Sequence, residues 1–294
     1  MPLDVCFLNG EYLPLQEARV SPLDRAFLFA DAVYEVLPVY GGRPFRLRQH
    51  LDRLQRSLDE IGMAAPLTHA QWAGICAELT ERNRRQPDGA GDTYVYIQVT
   101  RGAEYGRNHA WPEGLKPTLF AYASALPALS ADMVRDGVAA ITAEDIRWAR
   151  RDIKSTSLLA NILLKKRAAE VGAFETIMLE HGFLTEGSST TVHVLSQGSL
   201  LTPPNGHSIL PGTTRTVVEE LAARIDMPCV NRPITEATLR AADEIWLAFS
   251  TRGVIPVTRL DRSAIGTGRP GPMFQRIHAA FVNHVAELAG TPAL

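Results

Sequence analysis

ETIMLEHGFLTEGSSTTVHVL, residues 175–195, is the stretch on which the fold class turns. Two strand-like runs flank His181-Gly182, a pattern that predicts a β-hairpin. The segment before it, RRDIKSTSLLANILLKKRAAE (residues 150–170), has helical character, and VAAIT (138–142) before that reads as a strand. A hairpin after a helix breaks the strand-helix alternation of a doubly wound sheet. The other end of the chain repeats the signal: VCFLNGEYLPL (5–15) places two short strands around Asn9-Gly10, the dipeptide best suited to positive φ at both turn positions. Both halves mix hairpins with helices, so the expected class is α+β.

Between these landmarks, Leu47, Leu51, Leu54, Leu58 and Ile61 recur at helical spacing and stop at Gly62. Thr68 with Gln71 forms a capping-box pattern ahead of Trp72, Ile75, Cys76 and Leu79, which predicts a second helix. TYVYIQVTRG (93–102) and PTLFAYAS (117–124) are rich in aromatic and β-branched residues and read as strands. SALPALSADMVRDG (124–137) interrupts that composition. It divides the chain into a small N-terminal α/β lobe over 1–123, a connection over 124–133 and a larger C-terminal lobe over 134–294. In the larger lobe a helix is expected near Thr214 with Val217, Val218, Leu221, Ala222 and Ile225 on one face, a strand at EIWLAFST (244–251) and a last helix from about Met273.

Composition excludes several functions. Among 294 residues, 46% are hydrophobic and 21% charged, an ordinary globular balance. Thirty basic against thirty-two acidic residues give a formal charge of −2, too even for a nonspecific nucleic-acid binder. Cys6, Cys76 and Cys229 are odd in number and far apart, which supports neither a disulfide framework nor a zinc site and suits a reducing cytoplasm. No histidine pair has metal-ligand spacing, and no run reaches the ~18 apolar residues of a membrane span. A soluble protein acting on small molecules is the expectation.

The polar motifs admit more than one reading. Lys165, Lys166 and Arg167 fall in the last helical turn before Gly172, where cations complement the carbonyl end. Lys154 stands ahead of that helix, beside Ser155, Thr156 and Ser157, as either a solvated lysine or one held between lobes. Glu186 ends a strand and meets Gly187 and four hydroxyl residues, either an exposed turn or an anchoring site. Gly212, Thr213 and Thr214 stand at a helix start, a seat for phosphate or a helix capped by Thr214. Arg53 falls away from the leucine stripe and reads as a surface arginine. Arg107 and His109, in a Gly/Asn/Pro-rich loop, could grip a carboxylate.

In order and spacing, DRAFLFADAVYEVLPVY (24–40), HLDRL (50–54), YIQVTRG (96–102), RNHAWPE (107–113), EDIRWARRDIKSTSLLANILLKKRAAE (144–170), TEGSS (185–189), ILPGTTR (209–215) and EIWLAFST together resemble the class IV pyridoxal-phosphate aminotransferases, most closely their D-amino-acid branch. The resemblance implies the two-lobed fold of that class and pyridoxal 5'-phosphate as cofactor. Lys154 would join the cofactor aldehyde as a Schiff base and later carry the Cα proton, while Glu186 would pair with the pyridine nitrogen. Arg53, with Thr213, Thr214, Ser250 and Thr251, would hold the phosphate. Ser188 and Ser189 would line the cofactor's other edge, and Leu210 would pack on the ring. Tyr34, Arg107 and His109 would trap the substrate carboxylate, the last two reaching from the other subunit of a homodimer. Arg101 is the alternative to Arg107 in that task.

The implied reaction is ping-pong exchange between a D-amino acid, such as D-alanine or D-glutamate, and a 2-oxo acid, pyruvate or 2-oxoglutarate. The alternatives are a branched-chain L-amino-acid aminotransferase, an aminodeoxychorismate lyase and a silent paralogue that binds a phosphate ligand. Ala30 and Ala32 replace glycines usual in the family, so the backbone there is expected to avoid positive φ or to follow a different path. Thr191, His193 and Phe249 are further departures near the cofactor.

Overall fold

The computed structural model describes residues 2–84 and 91–290. The chain forms two compact units. Among the described residues, the first comprises 2–84, 91–126, Ile153–Ser157 and 288–290; the second comprises Pro127–Asp152 and Leu158–Glu287. The five residues around Lys154 therefore pack with the first unit, although the sequence groups them with the second lobe.

The first unit is built on an antiparallel sheet of β1 (Pro2–Leu8), β2 (Glu11–Pro14), β3 (Ala32–Tyr40), β4 (Arg43–Pro44), β5 (Thr93–Thr100) and β6 (Thr118–Ala125), in the order β2-β1-β6-β5-β3-β4. Asn9 (φ 52°) and Gly10 (φ 105°) make the first hairpin turn, as their dipeptide predicts. Three helices accompany the sheet: α1 (Arg25–Phe29), α2 (Leu47–Glu60) and α3 (His69–Arg84). The leucine stripe of α2 and Trp72, Ile75 and Leu79 of α3 enter one core with Val33, Leu37 and Val39 of β3. At the head of α3 the Gln71 amide donates to Thr68 Oγ1 at 3.3 Å and the Thr68 amide to Gln71 Oε1 at 2.8 Å, a reciprocal capping box.

The second unit carries α4 (Ala131–Asp136), β7 (Val138–Glu144), α5 (Leu159–Glu170), β8 (Glu175–Glu180), β9 (Phe183–Gly187), β10 (Thr191–Ser196), β11 (Ser199–Thr202), α6 (Thr213–Arg224), β12 (Cys229–Asn231), α7 (Glu236–Arg240), β13 (Glu244–Phe249), β14 (Gly253–Leu260), β15 (Ser263–Ala264) and α8 (Pro272–Ala289). Its sheet runs β12-β11-β10-β13-β14-β7-β8-β9, with β15 beside β14. His181 (φ 52°) and Gly182 (φ 79°) turn β8 into β9. The sheet is mixed: β7 and β8 are parallel and joined by α5, a βαβ element that the hairpin pattern of the sequence did not announce. Val217, Val218, Leu221 and Ala222 of α6 are buried, as their spacing predicts. Glu244 caps α8, accepting from the amides of Met273 at 3.0 Å and Phe274 at 2.8 Å.

Candidate active site

In the first unit, strand alternation sets the pattern. Val33, Glu35, Leu37 and Val39 share the core face of β3, so a carboxylate sits in a row of aliphatic side chains with 0% exposure. It is tolerated because α2 brings two partners one turn apart. Arg53 donates from Nε to Glu35 Oε2 at 2.9 Å and from Nη2 to Oε1 at 2.6 Å, and His50 Nδ1 lies 3.0 Å from Oε1. Burial pushes the Glu35 carboxyl up, but Arg53 and His50 together outweigh it and hold the group far below the usual range. Burial also lowers the His50 pKa, and its Nδ1 faces the acceptor-only carboxylate of Glu35. Arg53 is thus a buried ion-pair member, not the surface arginine its helical position suggests.

Tyr34 points to the other face of β3, where its ring stacks on Tyr96 with centroids 5.7 Å apart. Residues 153–157 run beside this end of the strand: Tyr34 N donates to Lys154 O (2.9 Å), Thr156 N donates to Ala32 O (3.0 Å), and Ser155 bridges Val33. Lys154 N donates to the buried Ser57 Oγ at 3.2 Å. With both main-chain groups engaged, Lys154 has a fixed origin, and its Nζ lies 4.2 Å from the centre of the Tyr34 ring. Of the three lysines in its segment, only this one is held so. Lys165 Nζ donates to the Phe174 carbonyl and lies 3.8 Å from Glu175, and Lys166 forms an exposed pair with Glu170.

The loop after β5 separates two arginines that the sequence left as alternatives. Arg101 is buried, with Nε on Asp31 (2.8 Å), Nη2 on the Ile61 carbonyl (2.8 Å) and its guanidinium 4.0 Å from the Trp111 ring. Arg107 is exposed and lies 5.0 Å from the ring of Phe29, which also neighbours the exposed His109 at 5.4 Å. Between Phe29 and Asp31, Ala30 adopts φ 56° as the left-handed C-cap of α1. Ala30 thus takes the positive φ that its side chain was expected to avoid, at a steric cost of roughly 1–2 kcal/mol, whereas Ala32 starts β3 without it.

In the second unit, Glu186 of β9 is buried and ringed by donors. Arg147 Nη1 donates to Oε1, and the Leu210 amide lies 3.3 Å from each oxygen. Arg147 is fixed in turn by Asp145, Nε to Oδ1 at 2.9 Å and Nη2 to Oδ2 at 2.7 Å, and Thr185 Oγ1 donates to Asp145 Oδ2 at 2.7 Å. Burial raises the Glu186 pKa against the pull of Arg147 and the Leu210 amide. Sequence reasoning passed over Arg147 and Asp145; the only signal was their place in the EDIRWARRDIK run.

Helix α6 opens at Thr213 with Gly212 as N-cap and no capping side chain, so capping by Thr214 is not found. A Cβ on Gly212 would stand 2.7 Å from Thr191 Oγ1, so a larger residue here would have to move that hydroxyl. Thr213 Oγ1 lies 3.5 Å from Ser250 Oγ, and Thr251 is partly exposed in the same turn as Ser250. Main-chain N–H groups plus hydroxyls make a seat for a phosphate-sized anion. The hydroxyls of Ser188 and Ser189, with that of Thr190, donate to the buried Glu175 and brace the β9–β10 turn. Among the described residues no group of His, Cys, Asp or Glu side chains could hold a metal ion.

Three comparisons complete the description. The model of the amino-transferase class IV family matches residues 32–260. The D-alanine aminotransferase of Bacillus licheniformis is 37% identical over 94% of this chain and 95% of its own length. That of Staphylococcus haemolyticus is 34% identical over 95% and 97%. Among solved structures, the branched-chain amino acid aminotransferase of Escherichia coli superposes with a TM-score of 0.88 at 25% identity, covering 95% of this chain and 93% of that one. The branched-chain amino acid aminotransferase of Thermoproteus uzoniensis, solved with norvaline, gives 0.84 at 24% identity, over 98% and 95%, and supports the fold alone.

Proposed function

The chain belongs to the class IV aminotransferases, and from that premise we propose that it uses pyridoxal 5'-phosphate to exchange an amino group between a D-amino acid and a 2-oxo acid. The observation that carries the reading is Lys154, pinned through its backbone with its amine over the Tyr34 ring. The D-amino-acid assignment rests on relatives named D-alanine aminotransferase over nearly the whole chain and on the Arg107/His109 pair.

The residues fit the cofactor. The uncapped N-terminus of α6, a glycine where a Cβ would clash, and the Thr213 and Ser250 hydroxyls suit its phosphate. Thr214, Thr251 and Arg53 would complete that set, and Leu210 would pack on the ring. When bound, pyridoxal phosphate supplies an aldehyde for an amine to join and a ring that withdraws electrons from the substrate Cα. Lys154 would hold the cofactor through its Nζ, and the same amine would move the proton at the substrate Cα. Glu186 would pair with the ring nitrogen and hold a proton there, its carboxylate kept in one orientation by Arg147 and the Leu210 amide. Tyr34, Arg107 and His109 bind the substrate carboxylate, Arg107 being favoured because Arg101 is engaged with Asp31, Ile61 and Trp111. The protein acts as a homodimer in which Arg107 and His109 serve the neighbouring site. Three free cysteines accord with a reducing cytoplasm. Among the described residues, no helix is long and apolar enough to cross a membrane.

The fold shared with branched-chain enzymes favours one rival, an L-amino-acid aminotransferase. Purified protein should be yellow, and borohydride should fix the cofactor on a peptide containing Lys154. Lys154→Ala should lose that adduct and lower turnover by more than about 10³-fold. D-alanine, L-leucine and aminodeoxychorismate are then assayed in parallel. A colourless protein that takes up no cofactor overturns the enzyme reading, and preference for L-leucine overturns the D-amino-acid assignment.

A further inference from the structure

Arg25 does no chemistry in the scheme above, yet it is 3% exposed and makes more side-chain hydrogen bonds than a surface loop needs. Its Nε donates to Asp31 Oδ2 at 2.8 Å, and Nη1 donates to Glu104 Oε1 at 2.6 Å and to the Asn108 carbonyl at 2.7 Å. Nη2 donates to the His109 carbonyl at 3.1 Å. Two of these acceptors are the main-chain carbonyls that directly follow Arg107. The same guanidinium lies 4.8 Å from the Phe29 ring, against which Arg107 (5.0 Å) and His109 (5.4 Å) also rest.

The base of this arrangement is itself fixed. Asp24 is buried, caps α1 through the Ala26 amide at 2.8 Å, and accepts from Thr100 and Thr118 hydroxyls at 2.9 and 2.7 Å. Arg25 N donates to Gly102 O at 2.9 Å, tying α1 to the root of the loop. Asp31 Oδ2 is shared by Arg25 and Arg101, which ties Arg25 to the start of the loop through one carboxylate.

We propose that Arg25 and Phe29 are positioning residues for substrate specificity: they preset Arg107 and His109 to receive the α-carboxylate of an amino acid. Arg25 fixes the main chain at residues 108 and 109 through two charge-assisted hydrogen bonds, and Phe29 gives both side chains a common surface to rest on. Without that support an exposed arginine on a loop loses binding energy to ordering itself before it can grip an anion. The inference rests on the carboxylate role given to Arg107 and His109 above, and it extends that role to the two residues that support them.

The test compares holoenzyme half-reactions of D-alanine and of D-alaninol, which lacks the carboxylate, followed by cofactor absorbance. Arg25→Lys and Phe29→Leu should each raise the half-saturating D-alanine concentration about tenfold or more while changing the saturating rate far less, because the carboxylate grip acts in binding. The response to D-alaninol should equal that of the wild type. Phe29→Leu keeps the Arg25 network and guards against an Arg25→Lys variant that folds poorly. An unchanged D-alanine dependence in Phe29→Leu, or equal losses for D-alanine and D-alaninol, overturns the proposal. A wild type that answers L-leucine but not D-alanine overturns the D-amino-acid reading alone, and the same contrast is then read with L-leucine and L-leucinol. A wild type that answers none of these overturns both.

Discussion

Glu35 and Arg53 form a two-point ion pair inside the first unit, at 2.6 and 2.9 Å, with exposures of 0% and 8%. Arg53 is also the arginine proposed to hold the cofactor phosphate, and on that proposal the pair would join fold stability to cofactor binding. Glu35→Gln should cost about 3–5 kcal/mol, because breaking a buried pair leaves a charge uncompensated. The Glu35 folded-state pKa is depressed, so its contribution is complete above the ordinary glutamate value and is lost as pH falls through that value toward the folded one. Urea unfolding across that acid range should show the wild type losing stability with falling pH more steeply than Glu35→Gln. Parallel slopes would refute the assignment.

Arg147 lowers the pKa of a Glu186 carboxyl that burial raises. Removing the arginine as Arg147→Met should therefore push that pKa further up and move the acid limb of the activity profile to higher pH. A pH profile of kcat for both proteins checks the direction; an unmoved limb would show that Arg147 does not set the charge of Glu186.

Arg101 and Arg107 should separate cleanly. Arg107→Ala removes an exposed side chain and should raise KM for the amino acid by about 10- to 100-fold, the worth of a hydrogen bond to a charged group, with the thermal midpoint unchanged. Arg101→Ala leaves Asp31 with Arg25 alone and the Ile61 carbonyl without its donor, and should lower the midpoint by several degrees. Kinetics and thermal melts on both variants read this out; a KM effect confined to Arg101→Ala would reverse the assignment.

Ala30 holds a left-handed backbone at φ 56°, which strains its Cβ. Ala30→Gly should gain about 0.5–1 kcal/mol, the relief of roughly 1–2 kcal/mol set against the greater freedom of glycine in the unfolded chain. A urea midpoint that falls instead would mean that entropy outweighs strain at this turn.

Much of the fold was legible because its signals are local. Asn9-Gly10 and His181-Gly182 set two hairpins, the leucine spacing set α2, and Thr68 with Gln71 set the head of α3. Each depends on residues within a few positions of one another, where backbone sterics and side-chain periodicity act. The family resemblance added Lys154 and Glu186 as a pair of roles, which periodicity could not do.

The partners that fix the site belong to tertiary structure. Glu35 lies 18 residues from Arg53, Arg147 lies 39 from Glu186, and Arg25 lies 83 and 84 from the carbonyls it holds. Ser188 and Ser189 stand in the sequence as two turn hydroxyls, and the fold brings Glu175, 13 and 14 positions earlier, to accept from both. A sequence shows that a charge is present. Whether it is solvated, paired or buried depends on which distant segment folds against it, and that decides its pKa and its work. Lys154 illustrates both halves: its type and order in the chain suggested the role, and the backbone of β3 gave its amine a fixed place beside Tyr34.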